Sequence, residues 1–232
     1  MGFICGLFVI TLYDPVSAMN NGTSGNDSSN PRHIVLLGAS IGEAWNISDV
    51  PDRVETTEYT FEYVGEYAAD KRRALDSILD RGLQKPDAII IKQCAAYFPG
   101  EPEKLKAYTK SYVEACREEG VVPILATVVP VTRSFPLRIW LLSLFRGKWR
   151  YPKGTFEAII TFNDWIRDYA QTQGLAVLDL EAAVRTSETD RHLNGRYAKI
   201  DGLHINEKAY RELDEIVIPT VKNVEFQGEK GK

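Results

Sequence analysis

Residues 33–42, HIVLLGASIG, decide the fold class. Ile34 to Leu37 form an unbroken apolar run between His33 and Gly38, the mark of a strand covered on both faces rather than one wetted at every second position. The first strand is therefore expected over His33–Gly38. Behind it comes a turn of small residues, Gly38-Ala39-Ser40-Ile41-Gly42, where the chain leaves the sheet. A strand buried on both faces needs helices above and below it.

The flanking sequence supplies them. Glu58 to Val64 alternates as a second strand, and Ala68 to Arg81 places Ala74, Leu75, Ile78 and Leu79 on one helical face before Gly82. Ala88 to Ile91 follows Pro86 as a third buried strand. A helix is expected over Glu101–Glu119, with Pro102 in its first turn and Gly120 at its end. Leu105, Tyr108, Tyr112, Ala115 and Cys116 recur there at helical spacing, which puts Cys116 in the core. Val121–Val129 is a fourth strand, Thr155–Gln173 a long amphipathic helix stopped by Gly174, Leu175–Leu178 a fifth strand, and the last helix runs from Asn206 to Val221. Strands that alternate with helices imply βαβ units, hence an α/β fold with a central parallel sheet of about five strands. In such sheets ligands collect beyond the carboxyl ends of the strands.

Composition narrows the function classes. The 232 residues carry 28 Lys and Arg against 32 Asp and Glu, so nothing chain-wide favours nucleic acid or an anionic membrane. Cys5, Cys94 and Cys116 form no C-x-x-C pair, and neither a disulfide framework nor a zinc site is signalled. The uncharged run 2–13, GFICGLFVITLY, is shorter than the roughly 20 apolar residues that span a bilayer. Val16-Ser17-Ala18 offers a cleavage point before Met19, so residues 1–18 are expected to be an export signal and the protein periplasmic, extracellular or anchored by this segment. No Lys or Arg precedes the run and Asp14-Pro15 closes it, which leaves an N-terminal anchor or a mis-assigned start as the alternatives. Residues 19–32 have too few apolar side chains to offset backbone ordering and are expected to be a flexible linker. The domain is expected over 33–222, with a frayed tail over 223–232.

The carboxyl end of the first strand directs attention to Ser40. A serine at that turn can expose its hydroxyl and use its own backbone N–H to hold an oxyanion; the plainer role is a helix N-cap. A serine nucleophile needs a base, and the chain has three histidines. His33 opens the first strand, about 20 Å from its carboxyl end at roughly 3.3 Å per residue. His192 lies in the polar stretch TSETDRHLNG and is expected to be solvated. His204 lies in Asp201-Gly202-Leu203-His204, just before the last helix. A carboxylate three residues upstream can hold the imidazole Nδ1–H and leave Nε2 to accept a proton. Cys94, expected at the carboxyl end of a central strand, is an alternative nucleophile or a small buried hydrophobe.

With Ser40 first and Asp201-x-x-His204 last, the domain resembles the SGNH, or GDSL-type, hydrolases. The resemblance implies a three-layer α/β/α, flavodoxin-like fold and a serine esterase with Ser40 as nucleophile, His204 as base and Asp201 as its partner. It implies an oxyanion donor after the second strand, matched here by Gly65. Ala39 stands where the family usually has Asp, and Lys92-Gln93-Cys94-Ala95-Ala96 replaces its Gly-x-Asn-Asp block. Either Gln93 replaces the missing asparagine amide, or backbone donors suffice, or the protein is a weak or inactive relative; Gln93 and Cys94 are thus the candidate oxyanion or substrate contacts. The turn 38–42 also satisfies G-x-S-x-G, yet too few strands precede it for the α/β-hydrolase elbow.

The expected substrate is an O-acyl or O-acetyl ester of a carbohydrate or lipid, with no metal or organic cofactor required and no nucleic-acid partner. Acyl transfer by the same residues and a non-catalytic glycan- or partner-binding module are the alternatives, and the oligomeric state is open. Arg133 to Lys153 carries six Lys or Arg and no acidic residue, interleaved with Phe135, Trp140, Phe145, Trp149 and Tyr151. That insertion is expected beside the site as a lid, an acyl-binding wall or a peripheral membrane contact, or else as a core-packed helix with a solvated basic edge.

Overall fold

The computed structural model describes residues 30–145 and 153–226. The expected export segment and linker, the middle of the basic insertion and the end of the tail lie outside the described residues. In chain order the elements are β1 (Arg32–Gly38), α1 (Ser40–Trp45), α2 (Val50–Arg53), β2 (Tyr59–Gly65), α3 (Arg72–Leu79), β3 (Ala88–Lys92), α4 (Pro102–Glu118), β4 (Val122–Ala126), α5 (Phe135–Phe145), α6 (Thr155–Gln173), β5 (Val177–Leu178), α7 (Leu180–Val184) and α8 (Glu207–Lys222). The five strands form one parallel sheet in the order β2-β1-β3-β4-β5. This is the α/β, three-layer arrangement expected from the sequence.

Alternation along each strand divides the core in two. Ile34 and Leu36 share one face with Ala88, Ile90 and Ile124, roofed by Ile41 and Trp45 of α1 and by Leu213 and Val217 of α8. Val35 and Leu37 share the other with Ile89, Ile91 and Leu125, covered by Ile78 of α3, Tyr112 and Cys116 of α4 and Phe162 of α6. Each such aliphatic side chain, fully buried, contributes about 1.5–3 kcal/mol. Because β1 pairs with β2 on one side and β3 on the other, the strand order reverses between β1 and β3. A crevice opens at the carboxyl ends of such a pair, and Ser40 follows β1 there.

Several bounds differ from expectation for local reasons. β4 stops at Ala126 rather than Val129, because the Asn163 side chain takes both backbone groups of Val128, Oδ1 accepting from its N–H and Nδ2 donating to its C=O, each at 2.7 Å. β5 is shorter because the Leu175 N–H closes α6 by donating to Ala170 O at 2.9 Å. α3 starts at Arg72 rather than Ala68, since Glu66 Oε1 holds the Ala68 N–H at 2.7 Å in a loop. Val224 and Phe226 are buried, with the Arg32 guanidinium 4.9 Å over the Phe226 ring, so packed chain continues past residue 222. Among the described residues no helix is long and apolar enough to cross a membrane.

Candidate active site

α1 holds Ser40 in place through its own packing. Ile41 and Trp45 are buried, and a Cβ on Gly42 would stand 2.8 Å from the Tyr63 ring, so only glycine lets this helix lie so close to β2. Ser40 is the first helical residue. The N-cap position belongs to Ala39, so the capping role weighed for Ser40 is not the one it has. Its Oγ lies instead 3.2 Å from His204 Nε2.

The turn before α8 aims the imidazole. Asp201 Oδ2 lies 2.6 Å from His204 Nδ1, while Oδ1 accepts from the backbone N–H of Leu203 at 2.9 Å and of His204 at 3.0 Å. Burial pushes the Asp201 carboxyl up, but these hydrogen bonds outweigh it, and its pKa lies below the usual value. The carboxylate stays ionised, which fixes the proton on Nδ1 and leaves Nε2 facing the hydroxyl. Gly202 allows the turn: its φ is +72°, and a Cβ there would stand 2.4 Å from Thr132 Oγ1. The His204 and Asp201 side chains are 37% and 32% exposed, open enough for substrate and water to reach. A hydroxyl, imidazole and carboxylate so linked can pass the hydroxyl proton to the ring as the oxygen attacks an electrophile.

Neither a family model nor a curated protein matches the chain. Solved structures do. A GDSL-like lipase from Bacteroides thetaiotaomicron superposes with a TM-score of 0.62 at 18% identity, over 84% of this chain and 91% of that one. A psychrotrophic esterase from Pseudoalteromonas gives 0.56 at 12% identity, over 82% and 97%, and an acetyl xylan esterase gives 0.58 at 13% identity, over 82% and 99%. The chain has the GDSL/SGNH-hydrolase fold.

Within that fold the other candidates take different places. Gly65 ends β2 opposite Gly38, and the ladder continues with Glu66 N–H donating to Gly38 O at 2.7 Å. Strand alternation then turns the Gly65 N–H to the other side of β2, away from β1. The Gln93 amide is buried and faces α4, with Nε2 3.5 Å from Thr109 Oγ1. Cys94 is a free, partly buried thiol with no imidazole in hydrogen-bonding range among the described residues. His33 lies at the amino end of the sheet, its Nε2 3.3 Å from Glu62 Oε2. His192, expected to be solvated, stacks on Phe156 at 3.6 Å between ring centroids and pairs with Asp190 at 2.9 Å.

The described start of the basic insertion, α5 and the residues just before it, stands beside the turn that carries Asp201 and His204. Thr132 N–H donates to Gly202 O at 3.0 Å, and Arg138 of α5 donates to Ile200 O at 2.5 Å. Between α5 and this turn lies a groove of about 500 Å³ lined by Arg133, Ser134, Arg138, His192 and Lys199 among others. Two buried lysines, Lys71 and Lys92, sit at the carboxyl end of the sheet. Sequence reasoning missed both; the signal was a lysine closing the otherwise apolar run Ala88–Ile91.

Proposed function

We propose that the protein is a serine ester hydrolase in which Ser40 attacks the ester carbonyl, His204 takes and returns the proton, and Asp201 orients the ring. The observation that carries this reading is the unbroken chain from Ser40 Oγ through His204 to Asp201, at 3.2 and 2.6 Å. The esterases and lipases among solved structures of the same fold support it. The backbone N–H of Ser40, free of any intrahelical partner at the first helical position, is one oxyanion donor. Water then attacks the acyl-enzyme, with His204 as base. The test is modification of the full chain by a fluorophosphonate and mapping of the labelled peptide. A label on Ser40 supports the hydrolase; a label on Cys94 instead, or none on folded protein, favours a thiol enzyme or a binding module.

The substrate class we propose is an O-acyl or O-acetyl ester of a carbohydrate or lipid, delivered over α5. Leu137 and Leu141, one helical turn apart and 56% and 44% exposed, offer an apolar wall for an acyl chain or a lipid surface. The basic groove suits an anionic alcohol portion. Arg133→Glu and Lys199→Glu are expected to raise KM for an anionic ester a few-fold each, the scale of exposed charges worth about 0.2–1 kcal/mol. A neutral p-nitrophenyl ester should show no such change. Hydrolysis of p-nitrophenyl esters from acetate to palmitate, before and after Leu137→Ser with Leu141→Ser, measures the acyl preference: long chains should lose more than acetate. We keep export as the expected localisation, tested by cell fractionation.

A further inference from the structure

The two buried lysines differ in what their ammonium groups touch. Lys71, just ahead of α3, has an acceptor for each of its three protons: Glu66 O at 2.6 Å, Ala68 O at 3.1 Å and Tyr97 Oη at 3.0 Å. It straps the loop between β2 and α3. Lys92, the last residue of β3, is 1% exposed, yet its ammonium has a single acceptor, Gln93 O at 3.1 Å. An ammonium has three donors, so two N–H groups of a buried cation lack partners among the described residues, and no carboxylate pairs with it there. Such a group costs several kcal/mol to bury. A strand end that only had to fill space would carry a methionine or leucine.

What those donors face follows from the register. Leu37 pairs with Ile91, so Lys92 lies beside Gly38, its Cβ and Cδ 3.7 Å from where a Gly38 Cβ would be. By alternation Lys92 shares its face with Ile90, and that face is roofed by α1, whose first residue is Ser40. The side chain therefore runs along the end of β1 next to the turn that carries Ser40. One buried side-chain atom without a hydrogen-bond partner among the described residues, Tyr63 Oη, belongs to a ring on the α1 side of β2, 2.8 Å from where a Gly42 Cβ would stand. Unsatisfied polar groups are rare in cores, and this one packs beside the helix that begins at Ser40.

We infer that Lys92 is the charged donor of the oxyanion hole. The inference rests on Ser40 acting as the nucleophile. As Ser40 Oγ bonds to the carbonyl carbon, its proton passes to His204 Nε2 and the C=O π pair moves onto oxygen. The Lys92 ammonium donates a hydrogen bond to that oxygen and keeps its own proton. On collapse the pair returns to re-form C=O, the ester C–O bond breaks, and His204 gives its proton to the leaving alkoxide. A donor that is already desolvated needs no reorganisation when charge develops beside it. Burial lowers the Lys92 pKa, with Cys94 partly offsetting it; a negative oxygen alongside keeps the ammonium protonated. The Gln93 amide, turned toward α4, does not compete for this place.

The test is Lys92→Met, which keeps the length of the stem. The rate of fluorophosphonate modification at Ser40 and kcat for p-nitrophenyl acetate are each expected to fall about a hundredfold or more, the loss of one oxyanion donor. KM should change little, and Tm should hold or rise because a buried charge is gone. Labelled wild type beside an equally reactive, folded Lys92→Met overturns the assignment while leaving the hydrolase standing. A loss confined to KM also overturns it, making Lys92 a contact to an anionic substrate group. Unlabelled wild type overturns the hydrolase and this assignment together. Should Lys92→Met fail to fold, Lys92→Gln decides: reactivity below wild type supports the role, and wild-type reactivity overturns it.

Discussion

Ser40→Ala is expected to lower kcat for ester hydrolysis by about a millionfold, the scale on which removal of a triad nucleophile acts. The folded state should hardly notice. Among the described residues Ser40 Oγ makes one hydrogen bond, to His204 at 3.2 Å, worth about 0.5–1.5 kcal/mol at most in a partly exposed site, and the helix cap is at Ala39. Asp201→Asn should cost less, about ten-thousandfold, because an amide at that position favours the wrong imidazole tautomer while geometry persists. It also weakens the acceptor for the Leu203 and His204 N–H groups, so a small drop in Tm accompanies it. Since the three groups act as one unit, the double variant should be no slower than Ser40→Ala alone. Steady-state hydrolysis of p-nitrophenyl acetate by the purified proteins measures all three. Turnover by Ser40→Ala within an order of magnitude of wild type would remove Ser40 from the chemistry and leave Cys94 to be tested.

The buried strands were legible because burial on both faces leaves a continuous apolar record: Ile34–Leu37 and Ala88–Ile91 needed no partner to be recognised. Ser40, Asp201 and His204 were legible for a different reason. Their types are scarce in that order; the Ser40 turn directly follows a strand, and the Asp201–His204 turn directly precedes the last helix. The four- to six-residue helices α1, α2 and α7 leave no periodicity, being too short to repeat an apolar position. Gly65 and Gln93 were placed correctly along the chain, yet the directions of the Gly65 N–H and the Gln93 amide depend on strand parity and on α4, which no local pattern encodes. Lys92 was hidden because a lysine after an apolar run looks like a strand emerging into solvent. Only the register against Gly38 and the cover of α1 reveal that it is enclosed.

The support beneath β4 and β5 was invisible in sequence for a similar reason, and it sets the largest stability effect. Glu181 is completely buried at the start of α7. Its Oε1 accepts from Arg191 Nε at 2.5 Å, and its Oε2 from Arg167 at 3.0 Å, Arg191 at 2.8 Å and Asn163 Nδ2 at 2.8 Å. Arg185 stands 3.7 Å from Oε1. These partners are scattered over α6, the residue that follows α7 and a loop, so no spacing announces them. Asn163 in turn holds both backbone groups of Val128, which ends β4 and starts the chain toward α5. Glu181→Ala therefore leaves guanidinium groups against an empty buried site and frees the amide that fixes Val128. The expected loss is about 3–5 kcal/mol, the scale for removing one partner of a buried ion pair. Glu181→Gln should cost less, because it keeps the shape and an acceptor oxygen while losing the charge. Urea denaturation measures both, and a fall in midpoint at constant m-value is the expected form. The kcat of the remaining folded molecules should stay near wild type, since Ser40, Asp201 and His204 have no hydrogen bond to this network among the described residues. A Glu181→Ala midpoint equal to wild type would mean that Asp164 and Asp179, already bonded to Arg191 and Arg167, balance these charges without it.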